Sequence, residues 1–108
     1  MTVNGTNISM TRGDSESITV SLQGSSFEAG DKVEITVRKY AEHTVKLIHK
    51  TVTAFDDGKA AISIYPEDTA SLRFGSYVYD IQLTRADGAV YTIIKPSRFD
   101  ILPEVSYG

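Results

Sequence analysis

The side chains able to do chemistry are few in this 108-residue chain, and their spacing limits what they can do. There is no cysteine. A nucleophile would therefore be serine, threonine or lysine, and none of these stands in a Gly-x-Ser-x-Gly elbow or a Ser-x-x-Lys motif. His43 and His49 are six residues apart, which is neither the i, i+4 spacing of a zinc helix nor that of a finger. Carboxylates stand side by side at Asp56-Asp57 and at Glu67-Asp68. Calcium needs six to eight oxygens, and the Asp-x-Asp-x-Asp-Gly loop with its closing glutamate is missing. Turn chemistry accounts for the first pair, and acidic residues in the first turn of a helix account for the second. The sequence points to no catalytic residue, no metal site and no cofactor. The expectation is a non-enzyme.

Arg12-Gly13-Asp14-Ser15 has the composition of a cell-adhesion ligand, which works when a long exposed loop holds cation and carboxylate apart at its tip. Here the tripeptide falls between two strand-like stretches with few residues to spare, so a tight turn is the simpler expectation. Gly-Asp recurs at Gly30-Asp31, where adhesion offers no reason for it. The sequons Asn4-Gly5-Thr6 and Asn7-Ile8-Ser9 are weak signals in a chain so rich in serine and threonine.

The elements that would position these residues are short strands. Apolar side chains alternate with polar ones at Ile18, Val20 and Leu22, at Val33, Ile35 and Val37, and at Ile62 and Ile64. The pattern returns at Tyr77, Tyr79, Ile81 and Leu83, and at Phe99 and Ile101. Gly-Asp corners and Asp-Gly turns separate the segments. Residues 78–94 around Arg85-Ala86-Asp87-Gly88 read as a hairpin, and Asp56-Asp57-Gly58-Lys59 marks a second. Pro66 opens and Gly75 closes a short helix or turn near residues 66–73. Tyr77, just after it, is placed to bond back across the corner as a tyrosine corner does in immunoglobulin-like sandwiches. The expected fold is all-β: an antiparallel, immunoglobulin-like sandwich of seven to eight strands. It forms a single domain over 1–108 with an ordered core at about 7–103 and loose ends at 1–6 and 104–108.

A net charge of −3 is far from the basic stripe that a phosphate backbone requires, so nucleic acid is not expected as a partner. No apolar run is long enough to span a bilayer and no leader is visible at the amino end, so neither membrane insertion nor a signal peptide is expected.

Several segments together carry a resemblance: Ile8-Ser9-Met10-Thr11-Arg12-Gly13-Asp14, Gly30-Asp31-Lys32-Val33-Glu34-Ile35, Ile64-Tyr65-Pro66-Glu67-Asp68-Thr69 and Gly75-Ser76-Tyr77-Val78-Tyr79-Asp80. Over about residues 7–103 the chain resembles the amino-terminal domain of phage baseplate upper proteins and related small proteins of prophages in Gram-positive bacteria. That resemblance implies a structural domain of a virion tail, assembled in the bacterial cytoplasm. It would anchor a fibre or receptor-binding component to the baseplate through contacts with other phage structural proteins, with copies of itself, or both. Larger members continue into further segments, so this chain would be a stand-alone adaptor or a fragment.

Two stretches, residues 45–52 and 89–94, break the alternation and place apolar side chains on both faces. Leu47 and Ile48 in the first, and Val90 and Ile94 in the second, are the candidate interaction surface. The alternative is a carbohydrate- or surface-binding sandwich of a bacterial cell-surface protein, with Tyr40, Tyr65 and Tyr91 as the aromatics able to stack on sugar.

Overall fold

A computed structural model describes residues 1–104, apart from the side chains of Thr2 and Asn4. The chain is mostly strand: β1 (Thr2–Asn4), β2 (Asn7–Thr11), β3 (Glu16–Val20), β4 (Lys32–Arg38), β5 (Ile48–Val52), β6 (Ala60–Ile64), β7 (Gly75–Thr84) and β8 (Val90–Leu102). One helical turn, α1 (Pro66–Thr69), interrupts them. Six strands form one sheet in the order β1-β2-β8-β7-β4-β5, and β3 and β6 form a second. No helix among the described residues is long and apolar enough to cross a membrane.

Alternation builds the interior. Val33, Ile35 and Val37 of β4, Tyr77, Tyr79, Ile81 and Leu83 of β7, and Phe99 and Ile101 of β8 point the same way and are buried. Ile18 and Val20 of β3 and Ala60, Ile62 and Ile64 of β6 close the opposite side, and all belong to one core. Each fully buried Val, Ile or Leu contributes about 1.5–3 kcal/mol. The small sheet thus roofs the large one.

Antiparallel pairing throughout does not hold. β2 runs parallel to β8, with Ile8 beside Phe99 and Met10 beside Ile101. After β2 the chain turns at Arg12-Gly13 into β3, which belongs to the other sheet, so the neighbour of β2 comes from the far end of the sequence. The expected second hairpin also resolves differently. Asp56 and Lys59 bridge each other across Asp57 (φ 53°) and Gly58 (φ 71°), a tight turn. The flanking strands then part, β5 to β4 and β6 to β3, so this turn carries the chain from one sheet to the other. Residues 1–6 are not a loose end, because β1 pairs antiparallel with β2 and the Thr6 carbonyl accepts the Tyr79 hydroxyl. At the other end Glu104 pairs with Arg12, while residues 105–108 lie outside the described residues.

The corner after β6 forms as its sequence suggests. Pro66 stands at the first helical position and the Asp68 carboxylate accepts the Tyr65 N–H at 2.7 Å, tying down the entry. Tyr77 then donates its hydroxyl to the Arg73 carbonyl at 2.6 Å, four residues back. Removing that donor leaves a part-buried carbonyl without its partner. Tyr77→Phe should lower the unfolding free energy by about 1–3 kcal/mol with an unchanged denaturant m-value. Urea titration monitored by circular dichroism checks it.

Candidate interaction surface

The hairpin joining β7 and β8 is built by its turn. The Arg85 N–H bonds the Ala89 carbonyl at 2.8 Å, the Gly88 N–H bonds the Arg85 carbonyl at 2.9 Å, and the Asp87 carboxylate accepts the Ala89 N–H. An ion pair between a buried carboxylate and a half-buried guanidinium fixes this turn to the loop before β4. The Asp31 side chain, 3% exposed, accepts the Glu28 N–H at 2.8 Å and an Arg85 N–H at 2.7 Å. The Glu28 amide above all, helped by the Arg85 guanidinium, holds the Asp31 carboxyl below its ordinary 3.8.

A depressed folded-state pKa adds stability that is complete above the unfolded value and is lost as pH falls through the folded one. Asp31→Asn should therefore melt below the wild type at about pH 7. The gap should hold down to about pH 5 and close progressively once the pH drops below the ordinary 3.8. Thermal melts across that range give the comparison.

Beyond the turn, Val90 (58% exposed) and Tyr91 (55%) lie open, whereas Ile93 and Ile94 are half-buried against the core. Val90 pairs with Thr84, Tyr91 with Leu83 and Thr92 with Gln82; the register then shifts, so that Ile94 comes opposite Ile81. Ile94 thus shares the inward side of Ile81, and Val90 faces out with Thr84. The expectation that Val90 and Ile94 share one outer face fails because a β-bulge at Ile93 inverts the alternation between them.

Leu47 and Ile48 make no open surface either. The strand begins at Ile48, not at residue 45, and Ile48 is 3% exposed within the core, while Leu47 packs against it half-buried. β5 is an edge strand whose inward side meets the small sheet, and this takes up the apolar side chains at its start. Of the four candidates, Val90 alone is freely exposed. Tyr91, its neighbour and one of the aromatics that could stack on sugar, is exposed as well.

The other chemistry-bearing residues are bound up in structure. Arg12 donates to Glu104 at 2.7 Å and to the Leu72 carbonyl at 3.3 Å, and its guanidinium lies 4.3 Å from the Phe74 ring. Gly13 takes φ 86° and gives its N–H to Thr69, and the Asp14 N–H returns to the Thr11 carbonyl. Arg-Gly-Asp is a turn tied into the corner of the fold, with its cation already engaged.

His49 sits between Thr36 (3.1 Å) and Glu34 (3.0 Å), and His43 stacks edge-on to Tyr40. Asp68 holds Lys50 at 2.8 Å. Among the described residues no three of His, Asp and Glu gather as metal ligands would. Tyr40, Tyr65 and Tyr91 are all about half exposed but do not form one platform. Tyr91 lies level with Val33, through Leu83, and Tyr40 follows Arg38 at the opposite end of β4. At about 3.3 Å per residue that separates them by roughly 17 Å or more.

The chain matches no protein-family model, no curated protein and no solved structure.

Proposed function

We propose that this chain is a non-enzymatic assembly domain of a phage or prophage tail, working at the baseplate or at fibre attachment through protein–protein contacts. Its body is read as a variant of the immunoglobulin-like sandwich in which the first long strand runs parallel to the last. The tyrosine corner at Tyr77 and the single core between two sheets support that reading of the body.

The observation that carries the functional reading is the open edge of β8. β2 covers β8 only over residues 99–102, leaving the uncharged run Val90-Tyr91-Thr92 at a free edge of the sheet, with the Val90 and Tyr91 side chains exposed on opposite faces. An edge of that composition is a template for another chain, and proteins that remain alone ordinarily blunt it with charge.

Two measurements test the reading together. The coding sequence should be flanked by genes for tail proteins, and the purified chain should bind at least one of those products, with Val90→Glu weakening binding tenfold or more. A coding sequence far from any tail gene, or no binding to any flanking product, would remove the proposal.

The second reading, a glycan-binding module, is favoured by one feature. Tyr91 borders an open polar cavity of about 430 Å³ with Glu28, Arg85 and Asp87, groups that can bond sugar hydroxyls. Binding on a glycan array that is lost in Tyr91→Ala would favour it over tail assembly.

A further inference from the structure

We infer that Asp57-Gly58 is a self-modification site, at which the folded chain converts to isoaspartate without an enzyme while the matching step Asp87-Gly88 stays protected. This goes beyond the assembly reading and does not depend on it. Glycine follows aspartate at these two places in the chain. At such a step the next amide nitrogen can reach the side-chain carboxyl, because glycine has no Cβ to crowd the attack.

The reaction balances within the chain. The Gly58 nitrogen forms a bond to the Asp57 Cγ, and a carboxyl oxygen leaves as water with the carboxyl proton and the amide proton, closing a succinimide ring. Water then opens the ring on either side. Opening at Cγ restores aspartate; opening at the main-chain carbonyl leaves the backbone running through Cγ and longer by a methylene. The mass is unchanged. Both reacting groups sit on adjacent residues, so nothing has to be brought in from solution except water.

The two turns differ in whether those groups are engaged. In the β7–β8 turn the Gly88 N–H donates to the Arg85 carbonyl at 2.9 Å, and an Asp87 carboxylate oxygen accepts the Ala89 N–H at 2.9 Å. Both bonds must break before Asp87 can cyclise. In the turn between β5 and β6 the closing bonds join Asp56 and Lys59, at 3.0 and 2.9 Å, and bypass the reacting pair. Among the described residues neither the Gly58 N–H nor the Asp57 carboxylate has a hydrogen-bond or ion-pair partner. Asp57 is exposed and is the one described non-glycine residue at positive φ, 53°, a backbone state that disfavours a Cβ.

The place of this turn gives the change a consequence. It carries the chain from the large sheet to the small one, and the Gly58 carbonyl accepts the Phe27 N–H at 3.1 Å. Gly58 lies so close to Ser26 that a Cβ built on it would stand 2.7 Å from that side chain. A backbone lengthened between Asp56 and Lys59 breaks this fit, so the isomerised chain is the less stable one.

Incubating the whole folded chain at neutral pH, beside the same chain unfolded in urea, tests this. Proteolysis followed by electron-transfer fragmentation tells isoaspartate from aspartate of equal mass; conversion at Asn4-Gly5 raises the mass and is told apart by it. In urea the two steps should react alike, since neither keeps its turn. In the folded chain isoaspartate should form about tenfold or more faster at Asp57 than at Asp87, which must give up two hydrogen bonds first. Asp57→Glu, whose longer side chain would have to close a larger ring, should stop the conversion at this position and reduce the fall in melting temperature on incubation. Should that variant fail to fold, Asp57→Asn tolerates positive φ as aspartate does. It should convert faster than the wild type, because ammonia replaces water as the group expelled. Equal rates at Asp57 and Asp87 in the folded chain, a faster Asp87, or no isoaspartate at Asp57 while the unfolded chain forms it overturns the inference.

Discussion

Replacing Phe99 with alanine should cost about 3–5 kcal/mol of unfolding free energy, the largest loss expected from any single truncation in this chain. Phe99 is fully buried. It lies where the sheet is joined on both sides, beside Ile8 of β2 through the parallel pairing and opposite Tyr77 of β7 through the antiparallel one. Its ring meets Tyr79 edge-on, with centroids 5.9 Å apart, so the truncation also removes an aromatic pair.

The neighbours are strand side chains fixed by their ladders, and they cannot collapse far into the space left behind. A domain of this size has a total stability of about 5–15 kcal/mol, so Phe99→Ala should leave it marginal at room temperature. Phe99→Leu keeps most of the volume and should cost less than half as much. Urea unfolding of the three proteins gives the comparison. Equal midpoints for Phe99→Ala and Phe99→Leu would mean that the core around β8 is not closely packed.

Phe99 also shows what could be read before the fold was known. Its alternation with Asp100 and Ile101 marks a half-buried strand, as do the same patterns in β3, β4, β6 and β7, because burial on one face of a pleat leaves a period of two in the sequence. The helical turn at Pro66 and the bond made by Tyr77 were equally legible, since both depend on residues close together in the chain.

What stayed hidden depends on partners far apart. Nothing near Asn7 says that β2 will lie parallel to residues 99–102. Nothing near Asp56-Asp57-Gly58 says that the strands on either side will join different sheets. β1 is too short to show a period. The candidate surface was half legible for the same reason: Val90 stands out as an apolar residue on the wrong parity. The bulge that turns Ile94 inward has no local signal, because it arises from how β8 fits against β7. Leu47 and Ile48 read as the two apolar faces of one strand; the strand starts at Ile48, which faces the core opposite Val37, and Leu47 precedes it, half-buried.

Gly30→Ala tests whether the loop before β4 and the β7–β8 turn are held as one piece, and it should destabilise the chain by about 2–4 kcal/mol. Two separate penalties add. Gly30 has φ 91°, a conformation that strains any residue with a Cβ. A Cβ built there would also lie 2.8 Å from the Ala86 Cβ, closer than two carbons can approach, so one of the two loops must move. Asp31 follows Gly30 and Arg85 precedes Ala86. The movement that relieves the clash therefore pulls on the buried carboxylate and its guanidinium partner.

The two penalties separate in a double-mutant cycle, because Ala86→Gly removes the atom that is struck and leaves the backbone strain in place. Gly30→Ala in the Ala86→Gly background should cost about 1–2 kcal/mol, with a coupling of 1 kcal/mol or more between the sites. A coupling near zero would mean that the loops yield freely. Asp31 and Arg85 would then not fix the turn that presents Val90 and Tyr91. In that case Asp31→Asn should weaken binding of a partner at that edge no more than its effect on folding explains. With the coupling present, a turn held by Asp31 keeps the β8 edge in one geometry before a partner arrives, and ordering that edge costs little on binding.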